Sequence, residues 1–302
     1  MEATFLTKVV LPLALFVIML GMGLSLVPDD FRRVLRHPKA VAIGASFQML
    51  ALPLLGFAFA KIFGLEGALA VGLVTLSLCP GGTTSNMFSF LSRGDVALSI
   101  SLTAVVSLIT PFTIPLLLGP AMTHFMGEAS TVKLPIGQTI VQLLAITVVP
   151  VGIGMLVRHK APSASRRAEG AVKVLSIVFL FAVIGGIIRQ NWDKLPDFFA
   201  QAGLSSLALN VVGMALGYFG AKSLKLGERQ SITIGLEVGI QNGTTALLVT
   251  STILQNSIMS IAPAIYSLIM FGTGALFGIF VARRVPKDAD TPPPATVPSA
   301  GQ

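Results

Sequence analysis

The chain has 302 residues, of which 53% are hydrophobic and 11% charged, and its mean hydropathy is +0.83. This balance lies outside the range of soluble globular domains and is typical of an integral membrane protein. The formal net charge is +8, but the basic residues are split among short segments, which argues against a nucleic-acid-binding module. The single cysteine, Cys79, excludes an intramolecular disulfide and a cysteine-based metal cluster.

Nine apolar runs follow one another along the chain, each about 20 residues long or longer, which is the length that a helix needs to cross roughly 30 Å of hydrocarbon. They do not show the ten-residue alternation of a membrane barrel, so the predicted fold is an all-α polytopic membrane protein. The first run has no signal-peptide cleavage site and is predicted to be a retained helix. In chain order the predicted spans are 7–27, 40–63, 67–92, 95–120, 135–157, 171–190, 203–222, 229–255 and 258–282.

The distribution of Lys and Arg predicts the orientation of these spans. Sixteen of the 21 basic residues lie at 28–39, 93–94, 158–173, 222–229 or after residue 282. By the positive-inside rule the C-terminus is cytoplasmic and the N-terminus lies outside. We therefore expect one multi-pass transmembrane domain, residues 1–284, in the plasma (inner) membrane. The Pro-rich, polar segment 285–302 is predicted to be a disordered cytoplasmic tail.

Two of the predicted spans are too long for one straight helix, and each carries a break near its middle. The first break is LCPGGTTSN at 78–86, and the second is VGIQNGTT at 238–245; proline and glycine both interrupt a regular helix. Superposing the breaks gives an offset of 161 residues, which also aligns spans one to four with spans six to nine. Because aligned spans lie five apart, each copy crosses the membrane in the opposite direction. Such an inverted repeat with interrupted spans points to the binding site of a secondary transporter.

Glu237 is the one of thirteen acidic residues that lies deep within a predicted span. An ionisable group there is costly unless it is paired or bound to an ion, and no Lys or Arg lies at comparable depth. A bound cation or a proton accounts for it; a neutral, hydrogen-bonded Glu237 is the structural alternative. Oxygen atoms are the ligands that a hard cation needs. Candidate donors are the carbonyls of Val238 and Ile240, the side chains of Gln241, Ser85, Asn86 and Gln48, and the hydroxyls of Ser99 and Thr103 at i, i+4 spacing.

The restarted helices after the two breaks offer a candidate substrate site. Free N–H groups at a helix N-terminus, together with the helix dipole, favour an anion. Simple capping of the restarted helices is the alternative role for these residues. A carboxylate-bearing solute held here would be coupled to cations that neutralise Glu237 nearby. The candidate substrate-binding residues are Thr83, Thr84, Asn242, Gly243 and Thr244.

Three other functions stay open on the sequence. A deep carboxylate without a basic partner also suits a proton-coupled transporter. An intramembrane enzyme is less well supported, because the chain has no HExxH or GxSxG motif and its three histidines lie in loops or at span ends. An ion channel is less well matched to breaks at equivalent positions of an inverted repeat. We therefore expect a transporter and not an enzyme.

The motifs CPGGTTSN, RGDVALSISLT and EVGIQN, in this order and spacing, resemble the bile acid:sodium symporter family over residues 7 to 284. The resemblance implies sodium-coupled import of an organic anion, either bile-acid-like or a small carboxylic acid, by alternating access. It implies that the two broken helices cross in a core domain, about 40–120 and 203–282. A panel domain of spans 7–27, 135–157 and 171–190 would face this core. Some bacterial members have a tenth, N-terminal helix, so this chain is expected to start one helix later.

The resemblance also implies two sodium sites that share Glu237. The first is similar to the set Ser85, Asn86, Ser99, Thr103 and Glu237; the second is similar to the set Gln48, Glu237, Gln241 and the carbonyls of Val238 and Ile240. The expected partners are therefore sodium, an organic anion and the lipid bilayer, with no nucleic acid and no obligate protein partner. The physiological substrate, the sodium stoichiometry and the oligomeric state do not follow from the sequence.

Overall fold

The computed structural model describes residues 9–36, 38–127, 134–190 and 192–285. Within these ranges every regular element is a helix, which confirms the predicted all-α class. In chain order the helices are α1 (Leu11–Ser25), α2 (Pro28–Arg36), α3 (Pro38–Ile62), α4 (Gly67–Ser77), α5 (Thr83–Leu91), α6 (Val96–Met126), α7 (Ile136–Lys160), α8 (Pro162–Gln190), α9 (Leu195–Ser223), α10 (Glu228–Gly239), α11 (Gly243–Ile253) and α12 (Ile261–Ala282).

Among the described residues, five helices, namely α3, α6, α7, α9 and α12, are long and apolar enough to cross a membrane, and α1, α4 and α11 are shorter apolar helices. These helices coincide with predicted spans, which supports a membrane-embedded protein. The predicted span 171–190 lies within α8. The count of nine spans stays a prediction.

The prediction was wrong about two loops and one helix start. The helix α2 occupies most of the predicted loop 28–39, α8 begins at Pro162 inside the predicted loop 158–173, and α9 begins at Leu195 instead of 203. All three helices have a proline at the first or second position, where its missing N–H costs nothing. Their first turns contain charged or polar residues, so apolar windows in the sequence do not include these helix starts. The predicted tail, apart from Val285, lies outside the described residues.

The two predicted breaks are confirmed, and they lie against each other in the interior. The helix α4 ends at Ser77 and α5 begins at Thr83, while α10 ends at Gly239 and α11 begins at Gly243. Gly81 and Gln241 form an isolated antiparallel bridge, and the N–H of Asn242 donates to the carbonyl of Pro80 at 2.9 Å. Each interruption thus satisfies part of the backbone of the other, which a buried chain requires.

The remaining helices pack around these interruptions in two groups. The helices α3, α6 and α12 contact α4, and α9 packs against both α10 and α12. On the other side, α1 packs against α7 and α8. A Cβ atom at Gly154 of α7 would overlap the backbone of α1 between Leu20 and Leu24, so these two helices touch backbone to backbone, as small residues allow in membrane helices.

Candidate functional site

The carboxylate of Glu237 lies in the last turn of α10 and is 1% exposed. It accepts hydrogen bonds from three hydroxyl groups. Oγ of Ser85 donates to Oε2 at 2.7 Å, Oγ of Ser99 donates to Oε2 at 3.0 Å, and Oγ1 of Thr103 donates to Oε1. In the part of the chain that the structure describes, no basic side chain is among its hydrogen-bond or ion-pair partners.

Local structure explains why these hydroxyl groups meet. Asp95 caps α6, because its Oδ1 accepts the N–H of Leu98 at 3.0 Å. Ser99 and Thr103 then follow on one face of α6. Their hydroxyl oxygens also lie 2.7 and 3.4 Å from Oδ1 of Asn86, which is an alternative acceptor for the single hydrogen of each hydroxyl group. The first turn of α5 thereby presents Ser85 and Asn86 to α6, with Glu237 opposite.

A second group of predicted ligands lies at the C-terminal end of α10, just after Glu237. Nε2 of Gln48 donates to Oε1 of Gln241 at 2.7 Å, and Nε2 of Gln241 donates to the carbonyl of Val238 at 2.7 Å. Gln48 sits on a π-helical turn, Phe47–Ala51, that precedes Pro53; a wider turn of this kind is common at functional sites. Ile240 is extended, with φ −108° and ψ 100°. The structure therefore places the first predicted set on the carboxylate itself, whereas the second set reaches Glu237 only at its backbone, where Nε2 of Gln241 lies 3.4 Å from the carbonyl.

This arrangement joins a buried negative charge to a cluster of neutral oxygen atoms. Hydrogen bonds from hydroxyl groups recover part of the desolvation cost of a carboxylate but leave its charge uncompensated. A hydroxyl group can turn its hydrogen away and present oxygen to a cation. The cluster can thus hold a small hard cation beside Glu237, or Glu237 can take up a proton.

A small cavity of about 50 Å³ lies beside the paired interruptions. Its polar wall is formed by the N-terminal ends of α5 and α11, and its apolar wall comes from α1, α5, α8 and α12. The polar residues of the wall include Thr83, Thr84, Gln241, Asn242, Gly243 and Thr244, and the apolar ones are Ile18, Met87, Leu180 and Met270. All five predicted substrate-binding residues therefore line one cavity.

Asn242 has two roles in this cavity wall. Its Oδ1 accepts the N–H of Thr245 at 3.1 Å, so the side chain caps α11. Its Nδ2 is buried and has no hydrogen-bond partner among the described residues. An unused buried donor is costly in an apolar interior, and an acceptor on a bound solute would satisfy it.

Three buried polar residues of this region were missed by sequence reasoning. Ser89 donates to Oγ of Ser99 at 3.3 Å, and Asn210 and Tyr266 both donate to the carbonyl of Gly239. Ser89 lies four residues after Ser85, and Asn210 is a lone carboxamide within an apolar span. Those two signals were available in the sequence. The approach of Tyr266 to a carbonyl at the second break depends on tertiary packing alone.

The family described as the Sodium Bile acid symporter family matches residues 12–197, which are more than half of the chain. The chain belongs to this symporter family. The match includes the first broken helix and ends before α10. The resemblance stated above is thereby confirmed.

Three relatives extend the similarity over both broken helices. The ileal sodium/bile acid cotransporter of Oryctolagus cuniculus is 33% identical, over 91% of this chain and 80% of the relative. An uncharacterized sodium-dependent transporter of Bacillus subtilis (strain 168), YocS, is 29% identical, over 90% of this chain and 82% of the relative. A probable chloroplastic sodium/metabolite cotransporter of Oryza sativa subsp. japonica, BASS2, is 28% identical over 88% of this chain, which spans 62% of that longer protein.

Membership of the symporter family confirms two predictions. The protein is a membrane-embedded, sodium-coupled transporter, and it is not an enzyme, since members and relatives are transporters. Cotransport of sodium with an organic substrate follows from the family.

Proposed function

We propose that the protein is a secondary active symporter that imports an organic anion, bile-acid-like or a small carboxylic acid, together with two sodium ions. The observation that carries this proposal is the buried carboxylate of Glu237, surrounded by the hydroxyl groups of Ser85, Ser99 and Thr103, next to a cavity at two helix N-termini. One carboxylate then serves both ions. Its negative charge lowers the cost of bringing each ion out of water.

The first ion would bind among the oxygens of the α5–α6 contact. Its proposed ligands are Ser85, Asn86, Ser99, Thr103 and Glu237, whose oxygens are already directed at one another. When sodium enters, the hydroxyl hydrogens turn away from the carboxylate, so that hydrogen bonds are exchanged for ion–oxygen contacts. This exchange requires little movement of the helices.

The second ion would bind at the end of α10. Its proposed ligands are Gln48, Glu237, Gln241 and the carbonyls of Val238 and Ile240. Nε2 of Gln241 now donates to the Val238 carbonyl, so its amide group would rotate to offer Oε1 to the ion. Because Gln241 also lines the cavity, binding of this ion changes the cavity wall directly.

The substrate anion would bind in the cavity, where Thr83, Thr84, Asn242, Gly243 and Thr244 present two helix N-termini. The positive ends of the helix dipoles favour the acidic group, and Nδ2 of Asn242 offers a donor that has no partner among the described residues. The apolar side chains opposite would contact the rest of the molecule. Sodium at the interruptions would order this wall before the anion arrives. Because the anion then binds only after sodium, its uptake would be coupled to the sodium gradient.

Alternating access would follow from movement of a core domain against a panel domain. We propose nine spans, with an inverted repeat, in the plasma (inner) membrane and with the C-terminus in the cytoplasm. The packing of α1 against α7 and α8 supports the panel. The repeat is supported by two hydroxyl pairs that are related by the 161-residue offset: Ser89 with Ser99 at 3.3 Å, and Thr250 with Ser260 at 2.8 Å.

Proton coupling is the second candidate, and one observation favours it. The carboxylate of Glu237 is surrounded by uncharged groups, and a proton neutralises it as well as a cation does. Uptake that responds to pH in the absence of sodium would support this candidate. Sodium-dependent uptake with little pH dependence supports the first.

The thermal stability of the purified protein in sodium, potassium or choline tests the proposal. Sodium that binds the folded state raises the melting temperature by mass action. We expect a sodium-specific rise in the wild type and none in Glu237→Ala, together with loss of sodium-driven uptake in that variant. A wild type that melts at the same temperature in all three salts, or a Glu237→Ala variant that responds like the wild type, contradicts the assignment. With a monovalent anion the two sodium ions leave one net positive charge, so uptake should carry current.

A further inference from the structure

The carbonyl group of Gly239, the last residue of α10, is held by two buried side chains from other helices. Nδ2 of Asn210, on α9, donates to this carbonyl at 2.7 Å, and the hydroxyl of Tyr266, on α12, donates to it at 2.8 Å. Both side chains are 0% exposed. Neither residue belongs to the proposed ion or substrate sites.

These two donors replace hydrogen bonds that the interruption removes. In a continuous helix the carbonyls of Val238 and Gly239 would accept the N–H groups of residues 242 and 243. The N–H of Asn242 instead donates to Pro80 at 2.9 Å, and that of Gly243 donates to Gln241 at 3.0 Å. The last carbonyls of α10 therefore depend on side chains. Gln241 serves Val238, and Asn210 and Tyr266 serve Gly239.

The first interruption has a comparable anchor. Nε2 of Gln48, on α3, donates to the carbonyl of Cys79 at 2.9 Å. Asn210 lies one residue from the position that the 161-residue offset assigns to Gln48. A carboxamide from the preceding long helix thus holds a carbonyl at each break. The two carboxamides differ in their second contact. Nε2 of Gln48 also donates to Oε1 of Gln241 at 2.7 Å, whereas Oδ1 of Asn210 has no hydrogen-bond partner among the described residues.

We propose that Asn210 and Tyr266 are positioning residues for the second sodium site, an inference that rests on the proposed function. They contact neither the ion nor the substrate. By anchoring the Gly239 carbonyl toward α9 and α12, they set the planes of the adjoining peptide groups, which carry the carbonyls of Val238 and Ile240. Peptide planes are rigid, so orientation changes only through rotation about the bonds between them. With the anchor removed, the extended residue Ile240 rotates more freely and the two carbonyls lose their mutual orientation.

The variants Tyr266→Phe and Asn210→Leu test this role in the full-length protein. Each removes one donor to Gly239 and keeps a side chain of similar size. The matched control is Thr273→Val, which also removes a hydroxyl group on α12, one that donates only to its own helix, to Ile269 at 3.0 Å. Three quantities are measured: the melting temperature in potassium, the sodium concentration that gives half of the sodium-induced stabilisation, and the same concentration for lithium.

We expect the half-saturating sodium concentration to rise by up to about fivefold in each single variant, since one lost hydrogen bond sets the upper limit, and to rise further in the double variant. The lithium-to-sodium ratio should change too, because carbonyl positions set the discrimination between ions. Thr273→Val should leave both quantities unchanged. A purely structural role lowers the melting temperature in potassium without moving the ratio.

The outcomes separate this inference from the proposed function. If the wild type responds to sodium and Glu237→Ala does not, but both positioning variants titrate like the wild type, the inference is wrong and the proposed function stands. If the positioning variants change only the melting temperature in potassium, they are structural and the inference is again wrong. If the wild type itself shows no response to sodium, the proposed function and this inference are both wrong.

Discussion

Ser99 is the hydroxyl group whose removal tests the proposed first sodium site most directly. Its Oγ lies 3.0 Å from Oε2 of Glu237 and 2.7 Å from Oδ1 of Asn86. In Ser99→Ala the carboxylate keeps Ser85 and Thr103 as donors. The variant therefore loses one oxygen of the site while the charge and the surrounding helices remain.

The size of the effect follows from the contacts of that oxygen. A hydrogen bond to a charged group contributes about 1.5–3 kcal/mol. The ion-free state also loses this contact, so part of the loss cancels and sodium binding weakens by about 1–2 kcal/mol. Since each 1.4 kcal/mol is a factor of ten, the half-saturating sodium concentration should rise about 5- to 30-fold. At about 100 times the original Kd, a tenfold weaker site stabilises the protein by about 1.4 instead of 2.7 kcal/mol.

The assay is sodium-dependent uptake into proteoliposomes, titrated at constant ionic strength with choline as the replacement cation. We expect Ser99→Ala to need more sodium and to approach the wild-type rate when sodium saturates. The control is Ser101→Ala, on the same helix, whose buried hydroxyl oxygen lies 2.9 and 2.8 Å from the carbonyls of Asp30 and Ala97, the two alternative acceptors of its hydrogen. Equal sodium titrations for Ser99→Ala, Ser101→Ala and the wild type would refute the assignment of Ser99 as an ion ligand.

Three further substitutions test the site and its support. In Gly81→Ala the new Cβ would overlap the carboxylate of Glu237, so the sodium-induced rise in melting temperature should be lost; a normal rise would show that the paired interruptions can shift. Gln48→Leu removes the hydrogen bonds to Cys79 and Gln241, at 2.9 and 2.7 Å. It should lower the free energy of unfolding by about 1–3 kcal/mol and weaken sodium binding, which melting curves recorded at increasing sodium concentration would measure. Gly154→Val forces α1 and α7 apart and should cost about 1–3 kcal/mol with an unchanged half-saturating sodium concentration; a changed one would link this contact to the ion site.

The interruptions and the central carboxylate were predictable because their causes are local. Proline and glycine weaken a helix locally, so the clusters at Pro80 and Gly243 marked candidate breaks. A single proline is not sufficient, since α6 continues through Pro111, Pro115 and Pro120. Asp95 caps the helix that follows it for an equally local reason. Glu237 stands out because a carboxylate in a long apolar run is costly in every arrangement.

The partners of these groups were less predictable, because each contact joins residues far apart in the chain. The donors to Glu237 from α6 are 134 and 138 residues away. Their i, i+4 spacing had suggested them as ligands, but only the family resemblance had grouped them into one site. Asn210 and Tyr266 carry no motif, and their role appears only once both lie against Gly239. Helices such as α2 were not predicted because hydropathy identifies only apolar spans. The position of an amphipathic helix depends on the neighbouring helix against which it packs.

Hydropathy and helix-breaking residues thus already define a membrane-embedded helical protein with two interrupted helices and one buried carboxylate. Those properties depend on the transfer of short segments from water and on local backbone energy. The packing of the helices alone decided which oxygen atoms surround that carboxylate and which donors the interrupted backbone receives. It also decided that the two interruptions pair through Gly81 and Gln241. In an apolar interior a polar group has to find a partner, and the partner available is whichever group the fold brings within hydrogen-bonding distance.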